Sequence, residues 1–200
     1  MSERKGNPGR PEGADGREML ARMNRSHAPL RKFGFEGIEW RPRMRILDVG
    51  CGGGAAIAEM LLLSDGSFAD GIDYAPESVE SSKRTNAHDL GTRCMIRQGD
   101  VSALPYEADT FDLVTAVETV YFWPDLLQGF SEILRVLKPG GSLAVFCETE
   151  DVTIDWPPIT GVPFTVYTSA QLAACMREAG FTDVQKRHSP QGYIAVYGRK

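Results

Sequence analysis

LDVGCGGG (47–54) closes the compact apolar run MRILDVG (44–50) and leads straight into AAIAEMLLL (55–63), a segment of helical composition. Glycines between a buried strand and a helix let a ligand approach the backbone closely, and the first amides of the helix face outward to meet it. Working outward, FADGID (68–73) reads as a second strand and Pro76 opens a helix to about Leu90. RCMIRQG (93–99) reads as a third strand, FDLVTAVE (111–118) as a fourth, 125–137 as a helix and GSLAVFCE (141–148) as a fifth strand. Strands with continuous apolar runs, alternating with helices, are what a parallel sheet covered on both faces requires. A helix over 168–179, ended by Gly180, precedes FTDVQKRH (181–188) and GYIAVYGRK (192–200). The link between these last two strands is too short for a crossover, so the pair is antiparallel. The expected fold is α/β: a doubly wound, mostly parallel sheet of seven strands with a C-terminal antiparallel hairpin.

The chain of 200 residues, 42% hydrophobic, is of a size to form one core. Residues 1–16 are Gly, Pro and charge and are expected to form a disordered leader, with one domain over 17–200. Within it, 17–40 forms a helical lid broken near Ala28-Pro29, and 43–200 the α/β core. The net charge of −5 argues against general affinity for nucleic acid. The N-terminal residues carry no apolar run, and 55–63, interrupted by Glu59, is too short to cross a membrane. Cys51, Cys94, Cys147 and Cys175 form no C-x-x-C pair and lie near no histidine at ligand spacing. The sequence therefore predicts reduced thiols in the cytoplasm, with no disulfide framework and no metal.

The glycine stretch alone is ambiguous. Gly50, Gly52 and Ala55 fit the dinucleotide pattern, and Asp73, about 20 residues on, suits a ribose hydroxyl pair in either a NAD or an S-adenosylmethionine protein. Three features separate the two. Asp48 would repel a pyrophosphate yet favours an ammonium or sulfonium-bearing amino acid. Asp100, at the end of the third strand, can accept a hydrogen bond from an adenine amino group. The closing hairpin and the lack of a separate substrate domain do not suit a dehydrogenase.

LDVGCGGG (47–54), GIDYAPESVE (71–80), QGDVSALPYEADTFDLV (98–114) and LKPGG (137–141) together resemble the class I S-adenosylmethionine-dependent methyltransferases over roughly 43–199. The scaffold is similar to that of the small-molecule branch that includes quinone-biosynthesis methyltransferases. The resemblance implies a Rossmann-like sheet and S-adenosylmethionine as cosubstrate. It further implies that Asp48, Gly50, Gly52 and Gly54 surround the methionine part and that Asp73 holds the ribose hydroxyls. Tyr74 would lie against adenine, Asp100 and Val101 would read its edge, and Val117 and Glu118 would approach the amino-acid group.

Methyl transfer from a sulfonium needs an acceptor held in line with the methyl carbon, and a dedicated base is optional. His27, within MLARMNRSH (19–27), is the leading candidate for a base. Arg22, Asn24 and Ser26 beside it are candidates to close the pocket; the alternative has Asn24 and Ser26 capping or breaking the helix and His27 in solvent. Tyr121, Phe122 and Trp123, at the carboxyl edge after the fourth strand, are candidates for an apolar acceptor wall or, alternatively, for packing under the next helix. Tyr121 is the one expected to reach the pocket as a second catalytic candidate. The Pro-rich stretch 153–168 is expected to form a flap near the acceptor. Asp155-Trp156-Pro157-Pro158 shares composition with the signature of amino-group DNA methyltransferases, but in scrambled order and after the wrong strand. His88 and His188 are expected to be structural or exposed, and Cys51 to be packing. The expected activity is methyl transfer to a small-molecule acceptor. The alternatives are a non-catalytic S-adenosylmethionine-binding regulator, an RNA or protein methyltransferase and, weakest, a NAD-linked oxidoreductase.

Overall fold

The computed structural model describes residues 7–156 and 161–200. Helices α1 (Gly13–Ser26) and α2 (Ala28–Phe35) precede β1 (Arg45–Val49), α3 (Ala55–Leu63), β2 (Phe68–Asp73), α4 (Pro76–Thr85) and β3 (Cys94–Gln98). They are followed by β4 (Phe111–Val117), α5 (Leu126–Val136), β5 (Leu137–Cys147), α6 (Ser169–Glu178), β6 (Thr182–His188) and β7 (Ile194–Arg199). The seven strands form one sheet in the order β3-β2-β1-β4-β5-β7-β6. All pairings are parallel except those of β7, which runs antiparallel to both β5 and β6. The expected sheet and its closing hairpin are thus present.

Strand residues alternate between two cores. Leu47, Val114, Leu143 and Val145 point to the face carrying α5 and α6, where Phe130, Ile133, Leu172 and Met176 are buried. Ile46, Leu113, Ala144 and Phe146 point to the opposite face, under α2, α3 and α4. Phe130 shows how the first core is joined: fully buried on α5, it meets Trp123 and Phe181 edge-on at 5.7 and 6.4 Å.

Several boundaries depart from the sequence expectation. Helix α1 begins at Gly13, not after residue 16. Pro11 is buried, so the segment from residue 7 is part of the fold and not a leader; residues 1–6 of the expected leader lie outside the described residues. Apolar packing of a few residues against a distant loop leaves no trace in local composition. The break at Ala28-Pro29 separates two helices, with His27 ending the first and Pro29 in the first turn of the second. Helix α4 stops at Thr85, five residues short of Leu90, because Asn86 turns its amide onto Gly54 O and Ser82 O. β5 starts at Leu137 rather than 141, because Leu137 pairs with Phe111 across a register shift.

The lid helices are held by polar contacts. Arg31 of α2, 4% exposed, donates to both carboxylate oxygens of Glu59 on α3 at 3.0 and 2.7 Å and to the Asn24 carbonyl at 2.8 Å. A forked guanidinium so placed fixes both distance and angle between three helices. On the far side, the Tyr197 hydroxyl of β7 donates to Gly34 O at 2.7 Å, and Phe35 packs edge-on against Phe146 at 5.7 Å.

Phe130→Ala should lower the unfolding free energy by about 3–5 kcal/mol, because the ring leaves a cavity between α5 and the sheet that its edge-on neighbours cannot fill. Urea denaturation followed by circular dichroism checks it: a loss under about 1 kcal/mol would mean that this core is loosely packed.

Candidate active site

The strand order reverses between β1 and β4, and in open α/β sheets the crevice at the carboxyl ends beside such a reversal is where ligands bind. A cleft of about 270 Å³ lies there. Its lining comes from the ends of four neighbouring strands: Asp48 to Gly53 at the end of β1, Asp73 and Tyr74 at the end of β2, Gly99 to Val101 beyond β3, and Val117 to Thr119 at the end of β4.

The glycine loop folds against β2. Gly50 N and Cys51 N both donate to Ile72 O, at 2.8 and 3.1 Å. Gly50 has φ 70° and passes so close to Thr119 that a side chain would collide with its hydroxyl. Gly52, also left-handed at φ 49°, borders open space, with the nearest side-chain atom 3.9 Å from where a Cβ would stand. That open space is a cradle: a small ligand can lie directly on the Gly52 backbone. Asp73 braces the loop, accepting the Gly52 N–H on Oδ2 and the Ala75 N–H on Oδ1, both at 2.9 Å. The Ser78 side chain and the Tyr74 N–H donate to this carboxylate as well, so a ribose hydroxyl would share or replace one of these donors. Asp100 accepts the Ser102 N–H on Oδ1 at 2.8 Å, leaving Oδ2 for an adenine amino group. Tyr74 is 43% exposed at the same end, with the Arg10 guanidinium over its ring at 5.9 Å from the centroid.

Asp48 sits at the floor, 2% exposed. Its Oδ1 accepts from the Thr115 hydroxyl at 2.6 Å, a contact that follows from the β1–β4 register, which sets the two residues side by side. Burial pushes its pKa up to about 7, against the Thr115 hydrogen bond and the charge of Arg31, with Asp73 adding to the rise. Burial likewise raises Asp73, opposed by its backbone hydrogen bonds.

At the other end, His27, Glu118 and Glu148 come together. Burial, with Arg31 and Arg22 adding to it, lowers His27 to about 4, which makes the imidazole neutral at pH 7 and a poor proton acceptor. Burial, then Glu148, raise Glu118 to about 8. His27 Nε2 and Glu148 Oε1 are 3.7 Å apart, beyond hydrogen-bond range.

Of the residues singled out in the sequence, Asp48, Gly50, Gly52, Asp73, Tyr74, Asp100, Val101, Val117, Glu118, Asn24, His27, Phe122 and Trp123 line this one cleft. Four others, Gly54, Arg22, Tyr121 and Ser26, do not. Gly54 caps α3 and faces Ser82 and Asn86 of the α4 end, and Gly53 takes its place in the lining. Arg22 is exposed and outside the lining. Tyr121, expected to reach the pocket, is buried behind it: its ring lies 6.2 Å from Phe122 and 5.8 Å from Phe164, and its hydroxyl donates to Glu118 Oε1 at 3.0 Å. The 3₁₀ turn over Val120–Phe122 is the reason, since each step rotates the side chain by a third of a turn and sends neighbours to different sides. Ser26 is exposed, whereas Asn24 Nδ2 donates to Gly53 O at 2.9 Å and so pins α1 to the glycine loop. His88 is exposed and His188 pairs with Glu150 and Ser169 away from the cleft.

The sequence reading missed Pro8, Gly9 and Thr119 in the lining. Val162 and Pro163 belong to the flap expected over 153–168, and they do border the cleft; residues 157–160 of that flap, with the Pro157-Pro158 pair, lie outside the described residues.

Comparison with known proteins agrees with the cleft. The family described as a methyltransferase domain matches residues 47–145. The chain is similar to a sterol 4-C-methyltransferase of Caenorhabditis elegans, 34% identical over 113 residues, which cover 56% of this chain and 33% of that protein. It is also similar to a ubiquinone/menaquinone biosynthesis C-methyltransferase of Geotalea daltonii, 32% identical over 117 residues, 58% of this chain and 50% of that one. The chain thus matches a third to a half of the length of these relatives. A crystal structure of a SAM dependent methyltransferase from Aquifex aeolicus superposes with a TM-score of 0.77 at 18% identity, covering 92% of this chain and 97% of that one, a likeness of fold.

Asp48 binds its proton more tightly in the folded chain than the 3.8 of an unperturbed aspartate. The native state therefore carries more protons than the unfolded state between about pH 4 and 7, and this carboxyl lowers stability as the pH rises through that window. Asp48→Asn, which keeps the Thr115 contact, should flatten the pH dependence there and stabilise the ligand-free protein at pH 8 by up to about 4 kcal/mol. Thermal melts of both proteins from pH 5 to 8 check it, and parallel curves would show that Asp48 is not protonated in the fold.

Proposed function

Because this chain carries a methyltransferase domain of the class I S-adenosylmethionine-dependent kind, we propose that it transfers the methyl group of S-adenosylmethionine to a small, largely apolar molecule. The observation that carries this reading is the Gly52–Asp73 cradle: open backbone beside a braced carboxylate, with a second carboxylate, Asp100, one strand further out. The residues fit the cosubstrate in order. Asp73 takes the ribose hydroxyls, Tyr74 and Val101 flank the adenine, and Asp100 accepts its amino group. Val117 and Asp48 line the ammonium end, where an ionised Asp48 complements a cation.

S-adenosylmethionine supplies an activated methyl group; this chain supplies position. Phe122, Trp123, Pro124, Val162 and Pro163 give the cleft an apolar side, suited to the body of an acceptor. His27 and Glu118 are polar groups of the same lining and orient the acceptor's reacting atom. Holding nucleophile and methyl carbon in line accounts for much of the acceleration such a reaction needs. Asn24 and Arg31 keep α1 over the glycine loop and so exclude water from the methyl group. Apolar acceptors agree with the sterol and quinone substrates in the relatives' names.

The net charge of −5 supports a small acceptor over nucleic acid. No helix of the described residues is long and apolar enough to cross a membrane, and the cysteines are free, three of them buried, which agrees with a reducing cytoplasmic setting.

Tritium transfer from methyl-labelled S-adenosylmethionine to a panel of sterol, quinol and phenol acceptors tests the proposal. Labelled product is expected with at least one apolar acceptor, and Asp73→Asn should raise the KM for the cosubstrate by ten-fold or more, about 1.4 kcal/mol. Binding of S-adenosylmethionine with no transfer to any acceptor would instead mark a non-catalytic binder.

A further inference from the structure

We propose that His27, Glu118 and Glu148 form a site for one divalent first-row transition cation of the Mn²⁺–Zn²⁺ class at the acceptor end of the cleft. One ligand atom from each of the three lies within 4.8 Å of the other two. They arrive from three separate elements: His27 caps the end of α1, Glu118 is the first residue beyond β4, and Glu148 the first beyond β5. β4 and β5 are parallel neighbours in register, Val117 beside Phe146, and Glu118 N donates to Phe146 O at 2.9 Å. The two carboxylates are therefore set on one rim by the sheet itself, and the lid helix brings the imidazole to them.

The arrangement has the parts a metal site needs beyond its donors. One imidazole and two carboxylates is a nitrogen and oxygen set of the kind that Zn²⁺, Mn²⁺ and Fe²⁺ take, and two carboxylate charges balance a dication. Glu118 is oriented from behind, with the Tyr121 hydroxyl and the Glu148 backbone N–H both donating to its Oε1, the outer-shell support that holds ligands in place. His27 and Glu118 both line the cleft, which provides access and open coordination positions. Three protein ligands with open positions is the pattern of a site that also binds a substrate atom. Ligation requires the donors to close to roughly 3.3 Å of one another, given bonds of about 2.0–2.2 Å. His27 Nε2 and Glu148 Oε1, 3.7 Å apart, already stand near that spacing. The open positions would take an oxygen of the acceptor, a hydroxyl or an enol; that use rests on the methyl-transfer reading, whereas the site itself does not. None of this is visible as a motif, because the ligands stand 91 and 30 residues apart (118 − 27 and 148 − 118).

Titration of the full chain with Mn²⁺, followed by the loss of the free-ion electron paramagnetic resonance signal, tests the site. One equivalent should bind, and His27→Gln and Glu148→Gln should each weaken binding by at least about ten-fold. Circular dichroism melts establish that each variant is folded, and Glu148→Gln, at a partly exposed side chain, keeps the test open should His27→Gln not fold. No retained Mn²⁺, or wild-type affinity in either folded variant, overturns the proposal. Calorimetry with S-adenosylmethionine on the same metal-free samples separates the two readings: cosubstrate binding without Mn²⁺ binding sinks the metal site alone, and Mn²⁺ binding without cosubstrate binding sinks the methyl-transfer reading alone.

Discussion

Asp73 holds the Gly52 amide with one carboxylate oxygen and the Ala75 amide with the other, and the ligand-binding end of the sheet is organised around that double hydrogen bond. It joins the loop after β1 to the end of β2, so the glycine loop keeps one shape while leaving its Gly52 face open. The constraint propagates. With the loop fixed, Gly53 O is presented to Asn24, Asn24 sets the position of α1, and its carbonyl receives Arg31, whose guanidinium reaches on to Glu59. The lid is thereby referenced to the same backbone that cradles the ligand.

Placing two carboxyl groups in one cleft, Asp48 buried and Glu118 half-buried, costs stability, since each loses hydration when ionised. A fold tolerates such positions where they serve a ligand. At the Asp48 end the compensation is a cation in the cosubstrate; at the Glu118 end it is a polar acceptor or an ion. The cleft is thus acidic at its floor and at its far end and apolar along one wall, which is the electrostatic shape expected for joining a sulfonium donor to an apolar acceptor. A pyrophosphate would meet Asp48, and its negative charge would be repelled there.

Much of this was legible in the sequence because the strands carry local signals. MRILDVG, FADGID and FDLVTAVE are apolar runs closed by glycine or acid, so their order, their parallel pairing and the acids at their ends follow from pattern alone. Asp73 and Asp100 could be placed because a residue just past a parallel strand points into the crevice whatever else the chain does. What escaped depended on contacts between distant segments or on the pitch of a short turn. Gly54 and Gly53 differ by one residue, and only the close approach of α4 decides which faces the ligand. Tyr121 and Phe122 are neighbours that a 3₁₀ turn sends to different sides, so Phe122 lines the cleft as expected and Tyr121 does not. Pro8 and Gly9, in a segment with the composition of a disordered leader, line the cleft because Phe122 and Val162 are there to receive them. Glu148 reads as the last residue of a strand until the lid helix sets His27 beside it.

The central claim is that this cleft is built for an adenosyl sulfonium and not for a dinucleotide, and isothermal titration calorimetry of the full chain with S-adenosylmethionine, its demethylated product and NAD addresses it most directly. The account predicts one site for each of the two sulfur compounds, no heat with NAD, and binding of both weakened by Asp73→Ala. Stoichiometric NAD binding, or no binding of either sulfur compound, would contradict it.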